Sequence, residues 1–423
     1  MDIQPFCGWR FATNDVSKHI APPYDILDQA DKDELLAGHK HNIVAIDLPH
    51  VPPKELGPPE VYKTSATLLE KWQKRGILQQ DPEPALYLYE QGYTWAGQTY
   101  SRRAMLSGVR ATPLGKDVIP HEHTFAGPKA DRLKLTTTTK TQLSPIFGFY
   151  NDPIGVVGKL AEAAGPEPEI RGELGGVTEK LWVVKDPKTI AEIQAALASV
   201  PVYIADGHHR YTTAMNYRDA LRDAGLIDAE HQANFVLFAL VARDDPGLLV
   251  LPTHRLIEGL SKDFTLEKLR DALGSFAWAK CPTLDVDLAD ADAYLAPHGK
   301  GAMAFVHGEE MWIGQLTDPQ EMLKVAPDHC QAWRDLDVAI LHRLVIDNAL
   351  KPWATDDFKV RYTADGNAAR DEGRRKDVSL AVIMQGTPLA AVEAIANAGE
   401  SMPHKSTYFY PKLATGMILK PLE

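Results

Sequence analysis

Apolar residues recur along this chain with two different periods, and the switches between them mark its elements. Leu86 to Tyr93 and Thr99 to Val109 alternate in the manner of a strand pair, with Trp95-Ala96-Gly97 as the connection. Thr64 to Arg75 sets Ala66, Leu69 and Trp72 on one helical face, and Lys188 to Ser199 and Leu336 to Leu350 read the same way. A charged helical segment is expected around Asp31 to Leu36. Thr387-Pro388 starts a helix ending near Gly399, because proline at the first helical position forfeits no hydrogen bond. Apolar runs predict buried strands at Ser144 to Tyr150, Val202 to Ala205 and Phe235 to Val241, and Asn42 to Pro49 and Leu181 to Val184 are strand-like. Leu248 to Arg255 reads as another apolar strand, and Ser261 to Thr317 as helix, strand, helix, strand, strand. Proline-rich Val51 to Pro59 and Gly165 to Gly176 are loops.

Strand pairs mixed with strand-helix units predict an α+β fold, with mixed sheets and flanking helices. Four regions are expected: 1–150, contributing site loops; 151–258, the strand-turn-helix region; 259–335, an accessory lobe; and 336–423, whose last strand returns to the site. The 423 residues are enough for two or three lobes. A net charge of −12, from 45 basic and 57 acidic residues, argues against wholesale nucleic-acid binding. Cys7, Cys281 and Cys330 lie far apart with no CxxC pair, which suits a reducing compartment. No apolar signal core or membrane-length run is visible, so a cytoplasmic protein is expected.

The densest chemistry lies in V-Y-I-A-D-G-H-H-R-Y, Val202 to Tyr211. An apolar strand stops at Asp206-Gly207 and passes through His208-His209-Arg210 into a helical pattern carried by Tyr211, Ala214, Met215 and Leu221. Free backbone N–H groups and the helix dipole favour an anion at such a start, Gly207 allows close approach, and Arg210 adds a forked donor. The bland alternative is a turn before an amphipathic helix.

Three other clusters qualify. His121-Glu122-His123-Thr124 leads into Lys129, Asp131 and Arg132; it reads as a divalent-metal pair, a catalytic or substrate-binding loop, or a solvated loop. Asp25 follows Pro22, Pro23 and Tyr24, so its carboxylate is held in a defined direction, or the motif is a tight structural turn. Met402 to Lys412 offers Lys405, Ser406, Thr407 and Lys412 among aromatics, without the glycines of a P-loop. Pro252-Thr253-His254-Arg255, at a strand end, is a weaker candidate.

These motifs, in this order, resemble the bacterial and archaeal family catalogued as domain of unknown function 1015. The matching stretches are A-P-P-Y-D at Ala21–Asp25, N-I-V at Asn42–Val44, H-E-x-T at His121–Thr124 and D-R-L at Asp131–Leu133. S-P-I-F at Ser144–Phe147, A-D-G-H-H-R-Y at Ala205–Tyr211, L-P-T-H-R at Leu251–Arg255 and M-P-x-K-S-T-Y-F-Y-P-K at Met402–Lys412 complete the set. The D-G-H-H-R-Y box is similar to the phosphate-gripping box of the ParB/sulfiredoxin superfamily and its free-serine kinases. His208 stands where sulfiredoxin has its reactive cysteine, so that chemistry is not expected.

The resemblance implies a ParB/sulfiredoxin-like core with accessory lobes, and a nucleotide-dependent kinase that phosphorylates free L-serine to O-phosphoserine. It implies a nucleotide's phosphates at Gly207, His208, His209 and Arg210; Tyr211 and Lys412 are expected to join the nucleotide contacts, with Lys405, Ser406 and Thr407 closing over the phosphates. Asp25 or Glu122 would take the serine proton, with His123 and His208 as further catalytic candidates, and Asp206 would assist or hold Mg²⁺. His121, Thr124 and Arg132 would bind substrate, Arg132 through the serine carboxylate. ATP or ADP and Mg²⁺ are the expected cofactors; the partners are nucleotide, an amino acid and, optionally, a second copy in a homodimer. Two alternatives remain: a ParB-like nucleotide-binding regulatory protein, and a metal-dependent hydrolase using the His-Glu-His cluster.

Overall fold

The structure is a computed structural model and describes residues 1–53, 55–122, 124 and 126–423. The chain divides into two compact units, Met1–Leu248 with Pro411–Glu423, and Leu249–Tyr410. As expected, both are of the α+β kind, with helices packed on mixed or antiparallel sheets.

The first unit is built on a nine-stranded sheet. Its strands are β1 (Ile3–Gln4), β2 (Leu86–Trp95), β3 (Gln98–Arg110), β4 (Val118–Ile119), β5 (Ile146–Tyr150), β6 (Ile170–Leu174), β7 (Val177–Val184), β8 (Val202–Asp206) and β9 (Phe235–Ala242). They lie in the order β4-β8-β5-β9-β3-β2-β7-β6, with β1 added against β3. The two alternating segments form the β2–β3 hairpin, Trp95 opposite Gln98. Ala96 and Gly97 between them have φ of 47° and 77°, the twist that a two-residue hairpin loop needs. β9 pairs with β3 antiparallel and β5 parallel, and every one of its residues is buried. A strand covered on both faces has no solvent side, so its sequence carries no alternation.

Helices α1 (Pro59–Lys74), α2 (Ala126–Thr139), α3 (Val156–Ala163), α4 (Pro187–Leu197) and α5 (His208–Asp223) belong to this unit. Leu160, Ile193 and Tyr211, from α3, α4 and α5, join Leu88, Phe238 and Leu240 of the sheet in one apolar core. Gly148 in β5 is required by packing: a Cβ there would lie 2.6 Å from Val202 and 3.0 Å from Phe238. A polar layer lies among Tyr89, Gln91, Arg102 and Glu179. Tyr89 and Gln91 donate to the Glu179 carboxyl at 2.5 and 3.0 Å, and Arg102 donates to Gln91 and, at 2.7 Å, to the Pro411 carbonyl. Burial pushes Glu179 up to about 7 against these hydrogen bonds.

The terminal segment joins the same unit, Lys420-Pro421 pairing with Thr141-Gln142. The Lys420 ammonium is buried and donates to the Gln232 carbonyl at 2.9 Å, and burial pushes it down to about 7. Between pH 7 and 9 the unfolded chain then holds a proton here that the folded chain has released, so stability rises with pH. Lys420→Met is expected to abolish that rise, as read from urea midpoints across this range; an unchanged slope would overturn the assignment.

The second unit holds a six-stranded antiparallel sheet of β10 (His254–Leu260), β11 (Phe276–Lys280), β12 (Met303–His307), β13 (Glu310–Leu316), β14 (Ala354–Thr363) and β15 (Leu380–Ile383). The order is β11-β13-β12-β15-β10-β14. Its core gathers Leu256, Leu288, Val306 and Ala381 with Ala369 of α6 (Gly366–Arg375). Leu249–Leu251 pairs separately with Tyr408–Tyr410.

Three expectations are revised. Asn42 to Pro49 is not a strand: Val44–Asp47 is a short helix. The Asn42 side chain accepts from the Val44 amide at 3.0 Å and donates to the Lys18 and Ile20 carbonyls, starting a turn. Ile43, Val44, Ile46 and Leu48 are all buried, so the apolar run had no period to reveal it. Residues 1–150 and 151–248 share one sheet rather than forming separate regions. The lobe expected at 259–335 is completed by β10, β14 and β15, pairings that local pattern does not report.

Candidate active site

Strand β8 pairs with β5 in regular register as far as Ile204, then shifts so that Asp206 faces Phe147. Such an irregularity re-aims a strand end. Gly207 follows with φ of 98°, a left-handed conformation open to glycine at little cost, and caps α5 without any side-chain hydrogen bond. The sixteen-residue α5 therefore presents its first amides and the positive end of its dipole at this turn.

Two cations converge on Asp206. Arg210 folds back over Gly207, its Nη2 3.0 Å from Asp206 Oδ2, while its Nη1 donates to the Pro145 carbonyl. Lys412 Nζ lies 3.3 Å from Asp206 Oδ1. Burial alone would raise the Asp206 carboxyl, but Lys412 and Arg210 hold it below its ordinary value. Two cations and a helix start gather at this turn, a setting that suits a polyanion.

The histidines divide in role. His208 is buried; its Nε2 accepts the His121 amide at 3.3 Å, and its Nδ1 lies 3.9 Å from Glu122 Oε2. Burial and the His121 ring, edge-on at 4.7 Å, keep His208 well below its ordinary value and so neutral. Burial pushes His121 down to about 4. With Nε2 accepting, the neutral ring carries its proton on Nδ1, toward Glu122. His209 is half-buried and also lowered, by burial against the opposing field of Asp25. Asp25 is exposed on the single turn Tyr24–Ile26. Thr124 is half-buried just ahead of α2, and His123 lies outside the described residues.

Two expected contacts are corrected. Tyr211 is fully buried, its hydroxyl donating to the Thr112 carbonyl at 2.7 Å and accepting the Thr112 amide at 2.9 Å; it anchors α5 in the core. Arg132 is closed off as well. Its Nε donates to Asp131 at 2.7 Å and its Nη1 to the Asp47 carbonyl at 2.7 Å, with the Tyr24 ring 3.9 Å from the guanidinium carbon. His50 and Tyr62 meet the same Asp131 oxygen at 2.9 and 2.6 Å. This buried network holds α2 and the Asp47 turn together and leaves Arg132 no open fork for a substrate carboxylate. The helical spacing of α2 hid it, because its partners come from distant segments. Beside Arg132 and Arg210 runs a narrow cleft of about 50 Å³, room for water rather than a nucleotide.

Lys405, Ser406 and Thr407 belong to the second unit. Lys405 is exposed with φ of 58°, and Ser406 is buried, its hydroxyl donating to the Pro403 carbonyl. Asp206 does not fit a Mg²⁺ ion, since each of its oxygens already meets a cation. Among the described residues no group of three or more His, Cys, Asp or Glu is disposed to hold a metal, and no helix is long and apolar enough to cross a membrane.

No curated protein matches this chain. Solved structures with a similar course include a free serine kinase in complex with AMP, at 13% identity over 71% of this chain and 89% of that one, with a TM-score of 0.33. A conserved hypothetical protein from Pyrococcus furiosus matches at 14% identity over 72% and 92%, TM-score 0.33. SbnI with a C-terminal truncation, from Staphylococcus aureus, matches at 11% over 75% and 87%, TM-score 0.35. No residue role passes from these proteins to this one. The family model described as "Protein of unknown function (DUF1015)" matches residues 3–339, and the chain belongs to that family.

Proposed function

We propose that the turn Gly207–Arg210 grips the phosphates of ATP or ADP, and that the protein transfers the terminal phosphoryl group to the hydroxyl of free L-serine. The observation that carries this reading is the convergence of Arg210, Lys412 and an uncapped helix start on one carboxylate. A polyphosphate arriving there shares Arg210 and Lys412 with Asp206 and takes hydrogen bonds from the α5 amides. Phosphoryl transfer asks a protein mainly for positioning and charge neutralisation, which these groups supply.

Glu122 is the proton acceptor in this reading. Asp206 is held by two cations and is a poor base, whereas Glu122 is half-buried beside the neutral His208. The serine oxygen attacks the terminal phosphorus, the bond from that phosphorus to the bridging oxygen breaks, and the serine proton goes to Glu122. The nucleotide leaves one phosphate shorter. His208 lies beside Glu122 and does not itself titrate near neutrality.

The test is direct. The purified chain, incubated with MgCl₂, ATP or ADP and a pool of amino acids, is expected to yield O-phosphoserine by mass spectrometry. Nucleotide hydrolysis with no phosphorylated amino acid would instead indicate a regulatory nucleotide-binding protein, and no nucleotide binding at all would remove both.

A further inference from the structure

The second unit holds a partly open cavity of about 310 Å³, within the range of small-ligand pockets, that the chemistry above does not use. One wall is Arg255, the last residue of the L-P-T-H-R motif, only 1% exposed. Among the described residues no carboxylate pairs with it. Its nitrogens reach the carbonyls of Thr253 and, at 3.0 Å, of Lys405, and the Met384 sulfur at 3.5 Å, while Nε makes no hydrogen bond. Burying a guanidinium without a counter-charge is costly, and carbonyl dipoles offset only part of that cost. Burial pushes Arg255 down to about 10, and burial together with Arg255 pushes His342 down to about 4. An anionic ligand would supply what no side chain does.

The cavity is built for one. Helix α7 (Leu389–Asn397) begins at it, with Thr387, Pro388 and Ala391 in the lining, and no side chain caps its first turn. Its first amides and dipole reinforce Arg255. Acidic groups also line the cavity, Asp335 and Asp337, with Lys300 close to the second. Cationic and acidic groups on the walls of one small space favour a molecule bearing both charges. Leu336, Val338 and Ala391 leave apolar room for a short side chain.

We propose that this cavity binds a small free α-amino acid, its carboxylate between Arg255 and the start of α7 and its ammonium at Asp337. The assignment is independent of the phosphoryl transfer proposed above. It is tested on the full chain without nucleotide, using L-alanine, which has no hydroxyl to phosphorylate. Calorimetry is expected to give saturable L-alanine binding, with propionate at least about tenfold weaker because the ammonium contact is lost. Asp337→Asn is expected to weaken L-alanine by a similar factor, and Ala391→Leu, which fills the cavity without touching its charges, to abolish binding. Neither variant removes the buried arginine, so both are expected to fold. Absence of L-alanine binding would overturn the proposal. So would equal affinity in Ala391→Leu, or inorganic phosphate binding more tightly than L-alanine.

Discussion

Arg210→Ala is expected to lower kcat/KM for nucleotide-dependent phosphorylation by about two to three orders of magnitude, the usual consequence of removing one preorganised donor from a developing anion. Its guanidinium is the forked donor of the turn, fixed by Asp206 on one side and the Pro145 carbonyl on the other, so little ordering remains to be done on binding. The loss also removes one of the two cations that meet Asp206. The side chain lies at the turn and contributes nothing to the apolar core, whose anchor on this helix is Tyr211. Thermal unfolding is therefore expected to move only slightly while nucleotide affinity collapses. Unchanged kinetics in a folded variant would remove the central assignment, and Arg210→Lys is expected to recover only part of the loss because an ammonium cannot make the paired contact.

Glu122→Gln should separate chemistry from binding. The amide keeps the shape of the side chain and removes its capacity to accept a proton, so the phosphoryl-transfer rate is expected to fall by about two to four orders of magnitude. Nucleotide affinity is expected to stay within a few-fold of the parent, since Glu122 is no part of the phosphate grip. Measuring kcat by mass-spectrometric product formation, alongside nucleotide titration, reads the two effects apart. Parallel losses in both would assign Glu122 to structure. A fully active variant would pass the role of base to another group, and Asp25, exposed near His209, would be the next to test.

Much of this protein was legible in local pattern. The β2–β3 hairpin, the uniformly buried β9 and the start of α5 at His208 each follow from residues close in sequence, because hydrogen-bond period and turn chemistry are local properties. The left-handed conformation of Gly207 belongs to the structure: a strand that ends and turns into a helix within two residues asks for it. The short helix at Val44–Asp47 escapes local pattern for a related reason. Burial on every side erases the period that distinguishes helix from strand.

What only the tertiary structure decided is which distant charges meet. D-R at 131–132 looks the same in sequence whether its arginine is open to a substrate or locked between Asp131 and Asp47, and Asp206 looks free until Lys412 is brought to it from more than two hundred residues away. Pairing energies of ions depend on separation and burial, and neither is written in the order of residues. The chain itself therefore determined where a helix start and its basic residues would stand. Long-range packing determined which of them keep a charge to offer.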